Sequence, residues 1–295
     1  MELEVDLSII IINHNTKALT QAAIASLFRH TAGIDWEIIL VDNSDQKRER
    51  IDPPPEKSIK LIQVKNKGFS HGCNTGARLA AGRNLLFLNS DTLISTNLLP
   101  ECVRFLDEHR EAGTLGVKIL LPDGRLDHGC KRGFPTPVNA FYYFAGFDRR
   151  HPDDPKYCGY RLLHLDPDEI HSIDAVSGAF LMTPKAVFEE VRGFDEKFFM
   201  YGEDLDYCFR IKKTGRQVIY YPKASILHLK GQSGLHHKKN MILYHFYNAM
   251  RKFYRKHYQN KYGIGMNLMV NTAITGLYLF ERGRNEGYRI GRGLR

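Results

Sequence analysis

The stretch Asn84-Leu85-Leu86-Phe87-Leu88-Asn89-Ser90-Asp91 decides the fold of this chain. Its apolar residues are typical of a β-strand that is buried on both faces. Asp91 follows that strand directly, at the position where open α/β sheets bind their ligands. A carboxylate there can hold Mg²⁺ or Mn²⁺, which keep coordination positions for phosphate oxygens. The alternative is a carboxylate that caps a turn or the next helix.

Three more apolar runs come earlier in the chain, and each is followed by polar residues. They are Leu7–Ile12 before Asn13, Trp36–Val41 before Asp42, and Ile59–Val64 before Asn66. Helix-like segments extend from Lys17 to Arg29 and from Ala77 to Ala81. Strands that alternate with helices predict an α/β fold with a mostly parallel sheet covered on both faces. The polar strand ends then meet at one edge of the sheet.

The segment from Gly68 to Gly76 is rich in glycine and asparagine. Its spacing matches neither the dinucleotide-binding fingerprint nor the phosphate-binding loop. Such a segment can still bring backbone N–H groups close to the diphosphate of a nucleotide. A tight turn is the alternative interpretation.

The second half of the chain carries an acidic cluster, Glu203-Asp204-Leu205-Asp206, shortly after a run of aromatic residues. A hydrophobic environment raises the pKa of a carboxylate toward the working range of a general base. The alternative is that these carboxylates stabilise the start of a helix predicted at Asp204–Lys213. His228 ends a predicted strand, and a purely structural histidine is the alternative there. Further strands are predicted at Ser177–Met182, Val218–Tyr221 and Ala224–His228, with a helix at Pro184–Val191.

Several of these residues form an ordered series of motifs between residues 7 and 235. The series is Asn13, Val41-Asp42-Asn43, Asn66-x-Gly68-Phe69-x-x-Gly72-x-Asn74-x-Gly76, Asn89-x-Asp91, Ser177-Gly178-Ala179, Gly193-Phe194-Asp195-Glu196, Glu203-Asp204-x-Asp206 and His228-x-x-Gly231-x-Ser233. In order and spacing it resembles the family 2 inverting glycosyltransferases of the GT-A fold, and within them the rhamnosyltransferase-like branch. Many members carry Asp-x-Asp where this chain has Asn89-Ser90-Asp91, so one charge directed at the metal is absent.

The resemblance implies a role for each matching residue. Asp204 is the expected general base, and Asp91 and His228 are the expected ligands of Mg²⁺ or Mn²⁺. Asp42 is expected to accept the imide N–H of uracil or thymine. The remaining nucleotide-binding residues implied by the resemblance are Asn13, Asn66, Gly68, Phe69, Asn74 and Asn89, and those near the sugar or acceptor are Ser177, Gly178, Glu203 and Asp206.

The resemblance also implies substrates and a domain organisation. The donor is expected to be dTDP-rhamnose or a UDP-sugar, and the acceptor a glycan or a lipid-linked intermediate of cell-envelope polysaccharide. Residues 1–235 are the expected catalytic domain, with a nucleotide-binding half at about 1–120 and an acceptor half at about 121–235. Residues 236–295 are expected to form a basic, amphipathic helical region. The odd number of cysteines, five in all, favours a reducing, cytoplasmic location, and no basic-then-apolar leader precedes the first strand.

The net charge of +9 is concentrated toward the C-terminus. From Met241 to Tyr262, aromatic residues recur at helical spacing among Lys and Arg. One interpretation is peripheral contact with an anionic membrane, at the inner face of the cytoplasmic membrane. The other is a helix that packs its aromatic stripe on the catalytic core. Ile264–Phe280 is too short and too polar to predict a membrane span.

Two other classes of protein share some of these features. A sugar-nucleotide nucleotidyltransferase also needs a metal-binding carboxylate and an α/β sheet, but no Gly-rich basic loop follows the first strand. A nucleic-acid-binding protein explains the basic charge. It does not explain acidic strand ends such as Asp42 and Asp91, which repel phosphates unless a metal intervenes. Nucleic acid is therefore not an expected partner.

Overall fold

The computed structural model describes residues 5–53, 55–229 and 239–293. Its strands are β1 Leu7–Asn13, β2 Trp36–Asp42, β3 Ile59–Gln63, β4 Asn84–Asn89, β5 Thr92–Ile94, β6 Ala112–Leu120, β7 His171–Ile173, β8 Phe180–Pro184 and β9 Gln217–His228. Its α-helices are α1 Lys17–His30, α2 Phe69–Ala77, α3 Leu99–Glu108, α4 Pro137–Phe144, α5 Phe147–Arg150, α6 Lys185–Glu190, α7 Glu203–Lys213, α8 Lys239–His257 and α9 Ile264–Gly293.

These strands form one mixed sheet in the order β3-β2-β1-β4-β8-β6-β9-β5, with β7 paired to β9. The first four strands are parallel, as the continuous apolar runs predict. Their register places Asn13 opposite Asp42 and Ile12 opposite Asn89. The polar residues that end these strands therefore lie side by side at one edge of the sheet.

The other strands join the sheet through antiparallel pairs, except that β6 and β9 are parallel. β8 pairs with both β4 and β6. β5 pairs with the end of β9, and Thr92 lies opposite His228. This register brings the residue before β5, Asp91, next to the histidine that ends β9.

The structure corrects three of the predicted elements. The strand predicted at Ser177–Met182 lies later, at Phe180–Pro184, because the Phe180 N–H bonds to the Ser177 carbonyl and closes a turn before the strand. The helix predicted at Ala77–Ala81 lies earlier, at Phe69–Ala77. Gly68 has a φ of +103°, and the Phe69 N–H bonds to the Phe199 carbonyl, so the helix begins directly after Gly68. It ends in a turn in which the N–H groups of Leu79 and Ala80 bond three residues back. The two strands predicted at Val218–Tyr221 and Ala224–His228 are a single strand, β9, whose register against β6 shifts between them.

Helix α8 packs on the apolar core of the sheet, which agrees with the second of the two interpretations given for Met241–Tyr262. Phe253 and Tyr254 of α8 belong to the same buried apolar cluster as the central strands, and so does Tyr258, which follows the end of the helix. Lys256 forms ion pairs with Asp195 and Asp206. The expected domain boundary at 235/236, together with the Gly231 and Ser233 motif positions, lies outside the described residues. Within the described ranges, no helix combines the length and apolar character needed to cross a membrane.

Candidate active site

The acidic cluster begins helix α7, and its position depends on a left-handed glycine. Gly202 has a φ of +78° and precedes Glu203 at the helix start. A Cβ atom at Gly202 would also lie 3.3 Å from the Ala249 Cβ of α8. Glycine therefore fits both the backbone conformation and the close approach of α8. The turn presents Glu203 and Asp204 to a cavity of about 600 Å³.

Asp204 is held by three hydrogen bonds. Its Oδ2 accepts from Arg132 Nη2 at 2.6 Å and from the Gly178 N–H at 3.1 Å. Its Oδ1 accepts from the Leu205 N–H at 2.7 Å. Gly178 thus helps to orient the carboxylate, which gives the Ser177-Gly178-Ala179 motif a physical role beside Asp204.

Arg132 is a site residue that the sequence motifs did not reveal. Its guanidinium also donates to the Val176 carbonyl at 2.6 Å, and its backbone pairs with Ala175. The Nε atom is buried and, within the described part of the chain, donates to no acceptor. The only available signal was a Lys131-Arg132 pair in a region without a recognisable motif.

Glu203 differs from Asp204 in its surroundings. Its Oε2 atom is buried and meets no hydrogen-bonding partner among the described residues. Burial, together with the negative charge of Asp204, raises the pKa of Glu203 to about 8. At neutral pH Glu203 is therefore protonated and can donate a hydrogen bond.

Asp91 and His228 meet at the ends of adjacent strands. Asp91 Oδ1 lies 3.2 Å from His228 Nε2, and Asp127 Oδ2 lies 3.3 Å from His228 Nδ1. Burial alone would lower the pKa of His228, but its hydrogen bonds to Asp127 and Asp91 raise that pKa to about 9. In this structure the imidazolium ring therefore bridges two carboxylates.

The donor set of these residues fits a divalent cation. A carboxylate oxygen and an imidazole nitrogen face each other, and Asp127 can fix the ring from its other nitrogen, as carboxylates do for metal-binding histidines. No group of three or more His, Cys, Asp or Glu side chains able to hold a metal occurs in residues 5–53, 55–229 and 239–293. Two protein ligands suit Mg²⁺ or Mn²⁺, because these cations take further oxygens from water and substrate phosphates.

Asn13 and Asp42, the first two expected nucleotide-binding residues, form an internal network. Asn13 Nδ2 donates to Asp42 Oδ1 at 3.0 Å and to Ser44 Oγ at 2.9 Å. The two Asp42 oxygens also accept the N–H groups of Ser44 and Ile51. Both side chains are almost fully buried. Next to them, the buried Oδ1 of Asn43 accepts no hydrogen bond from the described chain. Asn43 is therefore a candidate acceptor to which the sequence motifs assigned no role.

Asn66, Gly68, Phe69 and Asn74 connect the two halves of the chain. Asn66 Oδ1 accepts the Gly68 N–H, and the Phe69 N–H bonds to the Phe199 carbonyl. Asn74 exchanges two hydrogen bonds with the backbone of Phe194. A Cβ at Gly68 would lie 2.5 Å from the Phe199 oxygen. In this structure, therefore, the segment from Asn66 to Asn74 binds to the Gly193–Phe199 stretch through backbone and side-chain hydrogen bonds.

The structure does not bring Asp206 to the cavity. Its carboxylate is fully buried and pairs with Arg210 at 2.8 Å, Lys256 at 2.7 Å and His257 at 2.8 Å. The residue assigned to the sugar or acceptor thus anchors α8 to α7. Asn89 and Ser177 lie closer to the site: the Asn89 N–H bonds to the Ala179 carbonyl at 3.1 Å, and Ser177 Oγ accepts the Ala179 N–H at 3.2 Å.

The architecture is the GT-A fold of nucleotide-sugar glycosyltransferases. The mannosyltransferase PcManGT from Pyrobaculum calidifontis, solved with GDP-Man and Mn²⁺, superposes with a TM-score of 0.56 at 16% identity, over 84% of this chain and 64% of that chain. GalNAc-T7, solved with UDP, GalNAc and Mn²⁺, superposes with a TM-score of 0.55 at 16% identity, over 78% of this chain and 45% of that chain. The predicted fold class is thereby confirmed.

The chain belongs to glycosyl transferase family 2, whose family model matches residues 8–160. It is 34% identical over 140 residues to the N-acetylglucosaminyl-diphospho-decaprenol L-rhamnosyltransferase of Mycobacterium tuberculosis, a match that covers 44% of this chain and 45% of that enzyme. It is 22% identical over 231 residues to the rhamnosyltransferase WbbL of Escherichia coli, over 75% of this chain and 83% of that protein. The predicted resemblance to rhamnosyltransferase-like members of the family is confirmed.

Proposed function

We propose that this protein transfers a sugar from a nucleoside-diphosphate donor to a glycan or lipid-linked acceptor, with inversion at the anomeric carbon. The observation that supports this most directly is a pair of hydrogen bonds that join the two candidate sites. The Asn89 N–H, at the strand end that leads to Asp91, bonds to the Ala179 carbonyl, and the neighbouring Gly178 N–H bonds to Asp204. The segment Gly178–Ala179 thus connects the proposed diphosphate site to the proposed base.

In this proposal Asp204 removes the proton from the acceptor hydroxyl as its oxygen attacks the anomeric carbon. Arg132 and Gly178 fix the carboxylate, so that little reorganisation is needed when the hydroxyl arrives. Protonated Glu203 donates a hydrogen bond to the sugar or the acceptor. Asp42 and Asn43 are the proposed acceptors for the imide N–H of uracil or thymine, and the Asn43 Oδ1, which accepts no hydrogen bond within the described chain, supports this role.

Asp91 and His228 would hold Mg²⁺ or Mn²⁺, and Asp127 would fix the orientation of His228. A bound cation supplies Lewis-acid stabilisation of the charge that develops on the leaving diphosphate. His228 would hold the cation through a neutral imidazole, with Asp127 accepting the N–H of the other ring nitrogen.

The choice of donor follows the relatives. Both curated relatives described above are rhamnosyltransferases, so dTDP-rhamnose is the first donor to test and UDP-sugars the second. Incubation of the protein with a panel of nucleoside-diphosphate sugars, Mn²⁺ and a glycan or lipid-linked acceptor should release the nucleoside diphosphate. The new glycosidic bond should have the opposite anomeric configuration to the donor, as measured by NMR coupling constants. Retention of configuration, or reaction only with a nucleoside triphosphate and a sugar phosphate, would contradict the proposal.

The metal assignment makes a separate prediction. Asp91→Ala and His228→Ala should each weaken binding of the nucleoside diphosphate in Mn²⁺ by roughly tenfold or more, and should change binding little in EDTA. Isothermal titration with dTDP and UDP measures both conditions. Asp168→Ala, which removes an exposed carboxylate from a different surface, is the matched control. An unchanged metal dependence in both variants would show that these residues do not hold the cation.

Peripheral contact with an anionic membrane is also part of the proposal, but through a different surface from the one expected. Phe253 and Tyr254 of α8 are buried, and Lys252 and Lys256 donate hydrogen bonds to Lys197 and Asp195. Exposed apolar residues lie on α4 and α9, including Phe141 and Leu268, while Tyr244 and Phe246 of α8 are exposed as well. A cytoplasmic enzyme at the inner face of the membrane would present these two helices to the lipid.

A further inference from the structure

The cavity beside Glu203 and Asp204 is bounded by three helices that lie outside the strand-end motifs. Helices α4, α8 and α9 supply most of its wall, including Phe141, Phe144, Phe246, Phe253, Ile274 and Leu277. Its volume of about 600 Å³ lies within the range of small-molecule sites in proteins. Because nearly all of these side chains are apolar, the cavity favours a ligand whose bulk is hydrocarbon.

The charged side chains that line the cavity are grouped together. They are Arg132, Glu203 and Asp204, joined by the ion pair of 2.6 Å between Arg132 and Asp204. The side chains of Arg132 and Asp204 remain 14% and 12% exposed. A ligand that fills the cavity therefore meets charge at this end and places its polar group there.

A second cavity, of about 610 Å³, adjoins the first. The two share Arg132, Tyr143 and Tyr160 in their walls. The second is lined by polar and cationic groups, among them His128 and Arg161. An apolar cavity that adjoins a polar one fits an amphipathic molecule, with its chain in the first and its head group toward the second.

The surface around the apolar cavity is itself hydrophobic. Within the described chain, most of the large apolar side chains that are exposed lie on α4, α8 and α9. They are Val138, Phe141 and Phe144 on α4, Met241, Tyr244 and Phe246 on α8, and Ile264, Leu268, Met269, Leu279 and Phe280 on α9. Such a patch marks a surface that meets other apolar material, so a chain leaving the cavity need not pass through water.

We propose that the cavity between α4, α8 and α9 binds the hydrocarbon chain of a lipid-linked acceptor and so delivers the sugar hydroxyl of that acceptor to Asp204. This inference rests on the proposed glycosyl transfer and specifies its acceptor class. Arg132 and the shared tyrosines border the head group, and the chain packs against α8 and α9. The C-terminal helices thus form part of the acceptor site.

Binding of a chain-bearing diphosphate to the whole protein tests this without any donor or turnover. Farnesyl diphosphate, below its micelle concentration, should bind at least about tenfold more tightly than inorganic pyrophosphate, since burial of two methylene groups accounts for about that factor. Ala273→Trp places an indole in the cavity wall from an exposed position on α9. It should abolish the preference for the farnesyl compound.

Thr272→Trp is the matched control, because Thr272 is exposed on the same helix and does not line the cavity. It should keep the preference, and both variants should bind dTDP or UDP like the unaltered protein. Equal binding of farnesyl diphosphate and pyrophosphate, or a preference that survives Ala273→Trp, would overturn the inference. The inference would also be overturned if farnesyl diphosphate does not bind, the protein is a dimer, and Ala273→Trp dissociates that dimer. A second copy of the chain would then cover the cavity. If farnesyl diphosphate binds as expected but no sugar is transferred from any donor, the proposed function fails and the chain-binding site stands.

Discussion

Asp204→Asn is expected to lower turnover by roughly 10²–10⁴-fold, the usual contribution of a general base, while nucleoside-diphosphate binding stays close to normal. The asparagine keeps the size of the side chain and an oxygen that can accept the Gly178 N–H, which now lies 3.1 Å from the carboxylate. It cannot take up the proton of the acceptor hydroxyl. Steady-state kinetics with saturating donor, together with titration of dTDP or UDP, separates the loss of chemistry from a loss of binding.

Glu203→Gln is the companion variant that tests the assignment. Glu203 has a pKa raised to about 8, so it is protonated at neutral pH, and glutamine resembles that protonated form. Turnover at pH 7 should therefore change far less than in Asp204→Asn. Near-normal activity of Asp204→Asn combined with inactivity of Glu203→Gln would move the base to Glu203.

Asp206→Asn is expected to destabilise the fold rather than the chemistry. Burial alone would raise the pKa of Asp206. The hydrogen bond from His257, the positive charge of Arg210, and the hydrogen bond and charge of Lys256 together lower it from the ordinary 3.8 to about 2. That difference corresponds to about 2.5 kcal/mol of stability at neutral pH. The melting temperature should fall by roughly 4 °C, given the usual scaling of the unfolding entropy with chain length. Thermal unfolding followed by circular dichroism measures it.

The same carboxylate predicts a pH dependence with a definite sign. Because its pKa is lower in the folded protein than in the unfolded chain, Asp206 stabilises the fold fully above about pH 4. This contribution disappears as the pH falls from about 4 to about 2. The difference in melting temperature between the unaltered protein and Asp206→Asn should therefore shrink over that interval.

Asp123→Asn is the matched control for the anchor. Asp123 pairs with Arg125 at 2.7 Å, but the two side chains are 51% and 78% exposed. Exposed pairs contribute little to stability, so this variant should melt like the unaltered protein. Equal melting temperatures for Asp206→Asn and Asp123→Asn would show that the buried cluster does not hold α8 in place.

Local pattern was sufficient to predict the four parallel strands but not β5, β6 and β7, and it was the family resemblance that implied a shared site for Asp91 and His228. The apolar runs fix where β1, β2 and β4 lie, and polar residues that end neighbouring strands must share an edge. Helix α2 was misplaced because Ala77–Ala81 has the composition of a helix, whereas the actual helix contains glycine and begins at a contact with Phe199. A contact with a residue so distant in the sequence overrides local propensity, and periodicity does not report it.

The chemistry of the site was less predictable than its location. Side-chain type indicates what Asp42 and Asn13 can do, but not that they bond mainly to each other. Arg132 reaches Asp204 from 72 residues away, and His257 reaches Asp206 from 51 residues away. Neither pairing follows from spacing, since both depend on how the segment around Ala175 and helix α8 pack against α7.

The position of β8 between β4 and β6 governs when the chain can complete its sheet during synthesis. β6 ends at Leu120, but the strand that joins it to β4 ends only at Pro184. In a nascent chain that has emerged only as far as residue 120, the edges of β4 and β6 that later pair with β8 are both unpaired. Unpaired edges of this kind promote aggregation. The first half of the chain is therefore a poor candidate for expression as a separate fragment, and its solubility depends on the prompt arrival of residues 180–184.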